Sequence, residues 1–180
     1  MSGTTNWEKV REGVIKYTHI MNRLHQTDVS ADREFQKTFN HFYRIRQKKQ
    51  AFYKALYDYL EKNKNKSVTF EQTLNYFYDQ VGSLEASFSS KVVATINPDM
   101  PVWDSVVLKN IGLRPPPYYK SYPERIKMAT DIYNKIITWY TDFLTTEEAK
   151  RMKRIFEEKM GHTTLTPLKK IDLVLWQTRT

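Results

Sequence analysis

Three groups of residues in this chain have side chains and spacing suited to chemistry. The first is the corner Asn97-Pro98-Asp99-Met100-Pro101-Val102-Trp103-Asp104. Two prolines three apart remove amide donors and bias the residues before them toward extended backbone, so the corner ends one helix and starts the next near Val102. Asp104 then sits in the first turn of the new helix, where the helix dipole favours a carboxylate. A carboxylate so placed can stabilise developing positive charge or activate water, and it can equally serve as a cap. Asp99, in the same loop, competes with it for the catalytic role.

The second group is Gly82-Ser83 ahead of a new helix. Glycine reaches φ > 0 freely, and unpaired amides at a turn and a helix N-terminus form an anion site that needs no basic side chain. Gly82 also fits as the plain terminator of a helix over Phe70 to Val81. The third group is cationic. Of the net +9 carried by 180 residues, +6 falls between Arg44 and Lys66, where eight Lys/Arg, among them Arg44, Arg46, Lys48 and Lys49, face Asp58 and Glu61 alone. Such a patch can neutralise several phosphates, which makes binding salt-dependent. It also reads as a solvated helix face followed by a polar loop.

In order, the stretch from Gly82 to Leu113 resembles the core of the helix-hairpin-helix DNA glycosylases: a glycine turn, a helix, a Pro-Val-Trp-Asp corner and a second helix. The step of 22 residues from Gly82 to Asp104 is close to that family's separation, and Ala86 falls where the family places a small residue. The resemblance covers about a fifth of the chain. It implies that Gly82, Ser83 and Leu84 grip a DNA phosphate. It also implies that Asp104 faces a flipped base and stabilises the oxocarbenium-like sugar as the N-glycosidic bond breaks. Two departures matter. Gln80 stands where the first hairpin glycine would be, and Leu84 stands where bifunctional members carry an amine nucleophile, which implies base release without strand cleavage. The chain has no cysteine, so the iron–sulfur cluster of some members is excluded and no disulfide forms. Four scattered histidines lack metal-ligand spacing. The resemblance covers enzymes acting on oxidised, alkylated, deaminated or mismatched bases, and small stand-alone relatives linked with defence against phage carrying modified DNA. The same departures fit a module that binds DNA without catalysis. A helical protein-interaction domain, with an incidental basic patch, is a third reading.

The elements that position these groups read as helical throughout, and the expected fold is all-α, with two helical lobes flanking a cleft. Trp7, Val10, Val14, Tyr17, Met21 and Leu24 give an opening helix of about twenty residues. Ser30 is expected to cap a second helix with Phe35, Phe39, Phe42 and Tyr43, and a third carries Phe52, Leu56, Tyr59 and Leu60. Thr69 and Gln72 form a capping box for Phe70 to Val81. After the stiff Pro115 to Pro117 spacer, Pro123 opens a helix with Ile126, Ala129, Ile132, Tyr133, Ile136, Tyr140 and Phe143 at helical period. Thr145 and Glu148 suit a capping box for the next, which Gly161 ends. Thr166-Pro167 starts the last, whose Leu168, Ile171, Leu175 and Trp176 dock on the body.

With 14% aromatic residues, most rings must pack in the core. Trp103, Tyr43 and Phe39 are the candidates for a base pocket, and Tyr118 and Tyr119 are weaker ones. Lys91, on the helix after Gly82, is expected to face solvent or phosphate. The length suits one domain over residues 1 to 180, with the hairpin and corner at about 69 to 113 and a C-terminal lobe from about 122 packing with the first helix. No apolar run is long enough to cross a bilayer and the first residues lack a signal-peptide core, so a cytoplasmic monomer acting on double-stranded DNA, with no cofactor, is expected.

Overall fold

The computed structural model describes residues 4–179. The opening Met1, Ser2 and Gly3, on which the leader reading partly falls, lie outside the described residues. The fold is all-helical apart from one two-residue pairing. In chain order the helices are α1 (Trp7–Leu24), α2 (Arg33–Phe42), α3 (Gln50–Asn63), α4 (Phe70–Val81), α5 (Ala86–Ile96), α6 (Ser105–Asn110), α7 (Tyr122–Phe143), α8 (Glu147–Met160) and α9 (Pro167–Gln177). Strands β1 (Thr4–Thr5) and β2 (Thr178–Arg179) pair antiparallel, Thr4 opposite Arg179 and Thr5 opposite Thr178, and so tie the two ends of the chain together.

Local signals set most helix boundaries. The Thr69 hydroxyl accepts from the Gln72 amide while the Gln72 side chain accepts from the Thr69 amide, so both orphan donors of α4 are satisfied. Gly82 ends α4 at φ 70. Thr166 caps α9 with Pro167 in its first turn, and Gly161 ends α8. Two expected caps shift. Asp32, not Ser30, caps α2 by accepting from the Phe35 amide, because Ser30 is held in a turn by Asp28. Thr146, not Thr145, caps α8, its hydroxyl oxygen accepting from the Ala149 amide.

Helix α9 organises the packing. It lies against α1 and α8, and α3, α5 and α7 gather around α4. Two hydrophobic clusters result. One joins α1, α2, α3 and α8 around Leu24, Phe35, Phe39, Leu56 and Phe156, and takes Leu173 and Val174 from α9. The other joins α4 and α7 around Leu74, Tyr133, Ile136 and Tyr140, and takes Leu168, Ile171 and Leu175 from α9. A helix apolar on both sides must be buried all round, and α9 also carries Lys169 and Asp172 into the interior, each fully buried. The Lys169 amine donates to one Asp172 oxygen at 3.0 Å and the Tyr140 hydroxyl donates to the other at 2.8 Å, so the buried carboxylate is paired and hydrogen-bonded. Lys169 also lies 5.1 Å from the Tyr17 ring centre and 5.6 Å from that of Trp176. Burial pushes the Tyr17 hydroxyl up to about 12. Among the described residues, no helix is long and apolar enough to cross a membrane.

Candidate functional site

The prolyl corner is built by α5. The Trp103 amide donates to the Ser90 hydroxyl oxygen at 2.8 Å, and the Ser87 hydroxyl donates to the Trp103 carbonyl at 3.1 Å. From the other side, the Tyr133 hydroxyl donates to the Pro101 carbonyl at 2.8 Å. With both backbone groups of Trp103 held by α5, the chain cannot turn helical there. Helix α6 therefore starts at Ser105, not near Val102, and Asp104 is its N-cap rather than a first-turn residue. One Asp104 oxygen accepts from the Val106 amide at 2.8 Å. Among the described residues the other carboxylate oxygen accepts no hydrogen bond. Asp104 is half-buried. Asp99, its competitor, stays in the Asn97 turn, where its amide donates to the Asn97 side chain.

The same two serines decide what Asp104 faces. Lys91 follows Ser90 on α5 and, contrary to the sequence expectation of solvent or phosphate, points into a cavity of about 150 Å³ that Asp104 also lines. Tyr43, Arg44, Val102 and Trp176 complete most of the wall. The Lys91 amine donates to the Tyr43 carbonyl at 3.1 Å and sits 4.6 Å from the centre of the Phe88 ring. Desolvation by these neighbours lowers its pKa from 10.5 to about 8; Lys48 and Arg44 push the same way, and the Asp104 carboxylate opposes them. A half-buried carboxylate and an amine that titrates close to neutrality thus share one small cavity, the pattern expected of groups that exchange protons with a ligand. The volume lies below the roughly 300 Å³ at which pockets for larger ligands begin, so it suits a single planar ring rather than a whole nucleotide.

A larger hollow of about 430 Å³ lies between α2 and α3. Much of its polar lining is already paired internally. Gln36 donates to the Val29 and Ser30 carbonyls, the Tyr57 hydroxyl donates to Asn40, and Lys54 pairs with Asp58. The Asp104 cavity is the stronger candidate for that reason.

The remaining residues singled out in the sequence scatter. Trp103 is buried in the core, stacked 6.0 Å from Phe70, and Phe39 is fully buried; neither lines the cavity, so both leave the list of pocket walls. Tyr43 does line it, with its hydroxyl bonded to Thr95 at 3.2 Å and pushed up by burial. The exposed Tyr118 and Tyr119 do not line it. The Gly82 amide donates to the Tyr78 carbonyl at 2.8 Å, the capping bond of α4, so it is not available to a phosphate. Leu84 packs against the second hydrophobic cluster, while the Ser83 hydroxyl donates to Glu85.

The basic patch is partly neutralised. Lys48 pairs with Glu85 at 3.3 Å and Lys64 with Glu61 at 2.8 Å, besides Lys54 with Asp58. Among the described residues, Arg44, Arg46 and Lys49 form no ion pair. Trp176 is a wall residue that the sequence placed only as packing, and Ser87 and Ser90 are positioning residues that carried no signal at all. The described residues contain no cluster of side chains fit to hold a metal ion. Compared with known proteins, the chain matches no family model, no curated protein and no solved structure.

Proposed function

We propose that this chain is a DNA N-glycosylase that extrudes a damaged or modified base from duplex DNA and hydrolyses its bond to the sugar in the Asp104 cavity. The observation that carries the reading is that Asp104, Lys91 and Arg44 line one cavity with the rings of Tyr43 and Trp176. A base inside the stack presents no path to its glycosidic bond, so extrusion has to come first. In the cavity the extruded base lies against the Tyr43 and Trp176 rings. As the C1′–N bond breaks, its electron pair leaves with the base and positive charge grows on the sugar. Asp104 stabilises that charge with the oxygen not held by the Val106 amide, then takes the proton of the water that adds to C1′. Lys91, mostly protonated at neutral pH with its pKa about 8, supplies the proton to the leaving base. The two hydrophobic clusters support a reading as two helical lobes, as the resemblance to helix-hairpin-helix glycosylases implies. Leu84 in place of an amine nucleophile fits release of the base without strand cleavage.

The test is base release from duplexes carrying oxidised, alkylated, deaminated, mismatched and phage-type bases, read as alkali-labile sites, with Asp104→Asn beside the wild type. Alkali-labile sites from the wild type alone, with no nicks before alkali, are expected. Borohydride trapping of the protein on DNA would overturn the monofunctional assignment. The capping bond from Val106 to Asp104 favours a second reading, a helix-hairpin-helix module that binds DNA without catalysis. Salt-sensitive binding with no release from any duplex would select it.

A further inference from the structure

A second concave surface adjoins the Asp104 cavity. It is a groove of about 170 Å³ between α1 and the loop joining α2 to α3, bordered by Lys9, Lys16, His41, Arg44 and Arg46, with Glu12 as its one acid among the lining residues. Arg44, Phe42 and Trp176 line both the groove and the cavity, so the two form one continuous track.

Its cations only partly overlap the patch that dominates the sequence: Arg44 and Arg46 belong to that patch, and Lys9 and Lys16 come from α1. Lys48, Lys54 and Lys64 are each held by a carboxylate of the fold, whereas Lys9, Lys16, Arg44 and Arg46 form no ion pair among the described residues. The loop backbone enforces the display. Arg44 and Gln47 adopt left-handed φ values of 54° and 56°, and between them Ile45 is buried in the core. Plugging Ile45 into the core turns the flanking Arg44 and Arg46 outward, both exposed. Non-glycine residues in this conformation persist only where the surroundings hold them, and they concentrate at binding and catalytic sites.

We infer that the groove is the track of the DNA sugar–phosphate backbone, led by Lys9 and Lys16 of the first helix past Arg44 to the mouth of the Asp104 cavity. This rests on the reading of the cavity as the seat of an extruded base. Lys9 and Lys16 stand two helical turns apart on α1, about 10 Å along its axis, and so contact separate phosphates. Four unpaired cations converging on a cavity that holds a carboxylate draw in a polyanion while the reactive centre keeps its own negative charge.

The experiment is equilibrium binding of an unmodified DNA duplex as a function of salt, for the full chain and for two double variants that remove the same charge. Each phosphate contact contributes about 0.9 to the slope of log affinity against log salt. Lys9→Gln with Lys16→Gln is expected to reduce that slope by about 1.8. Lys127→Gln with Lys135→Gln, two exposed α7 lysines outside the groove, is expected to leave it unchanged. Equal slopes for both variants, or an unmoved slope for the α1 variant, would overturn the track. An RNA duplex bound as tightly, with the same slope loss, would overturn its assignment to DNA. Since the duplex carries no substrate base, the result stands apart from base release. A lost slope with no glycosylase activity keeps the track and removes the catalytic reading, whereas base release with an unmoved slope does the reverse.

Discussion

Lys91 is held where an ammonium is least comfortable, and replacing it with methionine makes that discomfort measurable. The difference between 10.5 and about 8 in its pKa corresponds to about 3 kcal/mol of penalty on the charged form. The side chain keeps some solvent and lies over the Phe88 ring, so the net penalty is closer to about 1–2 kcal/mol. Methionine retains the apolar contacts of the stem and carries no charge. At pH 7 both folded and unfolded wild-type chains hold the Lys91 proton, and the folded state bears the whole penalty. Between pH 8 and 10.5 the unfolded chain binds more protons than the folded one, so this group makes stability rise with pH. Above pH 10 the buried Tyr17 and Tyr57, whose hydroxyls burial pushes up, act the other way, because the unfolded chain then loses protons that the folded chain keeps. Urea unfolding followed by circular dichroism at pH 7 and pH 9.5 therefore reads the effect cleanly. Lys91→Met should be more stable than wild type by about 1–2 kcal/mol at pH 7, and the gap should narrow by pH 9.5. Base release should fall in the same variant. A variant less stable than wild type at pH 7, or a gap indifferent to pH, would refute the desolvated amine and with it the proton-donor role.

Three further outcomes follow from the same contacts. Asp104→Asn keeps a competent cap for α6 and should melt within about 0.5 kcal/mol of wild type, whereas Asp104→Ala should lose about 1 kcal/mol; neither should release base. Lys169→Met strands the buried Asp172 charge and should cost about 3–5 kcal/mol by chemical denaturation, and adding Asp172→Leu should recover most of that loss. Arg44→Gly and Arg44→Ala remove the same cation and should weaken duplex binding alike. In thermal melts the glycine variant should be the more stable by about 1 kcal/mol, because glycine takes the left-handed φ of residue 44 without strain.

What the sequence determined by itself is local. The Thr69 and Gln72 box, the left-handed Gly82, the Thr166-Pro167 start and the Gly161 stop placed α4, α8 and α9 because a cap or a proline acts within one turn of the chain. The all-helical class followed from periodicities that every long helix kept. At α2 and α8 the sequence pointed to Ser30 and Thr145, and the folded turns instead place Asp32 and Thr146 to accept from the first-turn amides. Asp104 was legible as a carboxylate at a prolyl corner. Its partner was not. Lys91 reaches the same cavity only because Ser87 and Ser90 hold the backbone of Trp103 against α5, and Trp176 joins them from the far end of the chain on a helix buried on every side. Nor could charge counting separate the lysines held by Glu61, Glu85 and Asp58 from the unpaired Lys9, Lys16, Arg44 and Arg46. Ion pairs and cavities are made between segments distant in sequence, and burial decides which charges remain available, so these features belong to the tertiary structure alone.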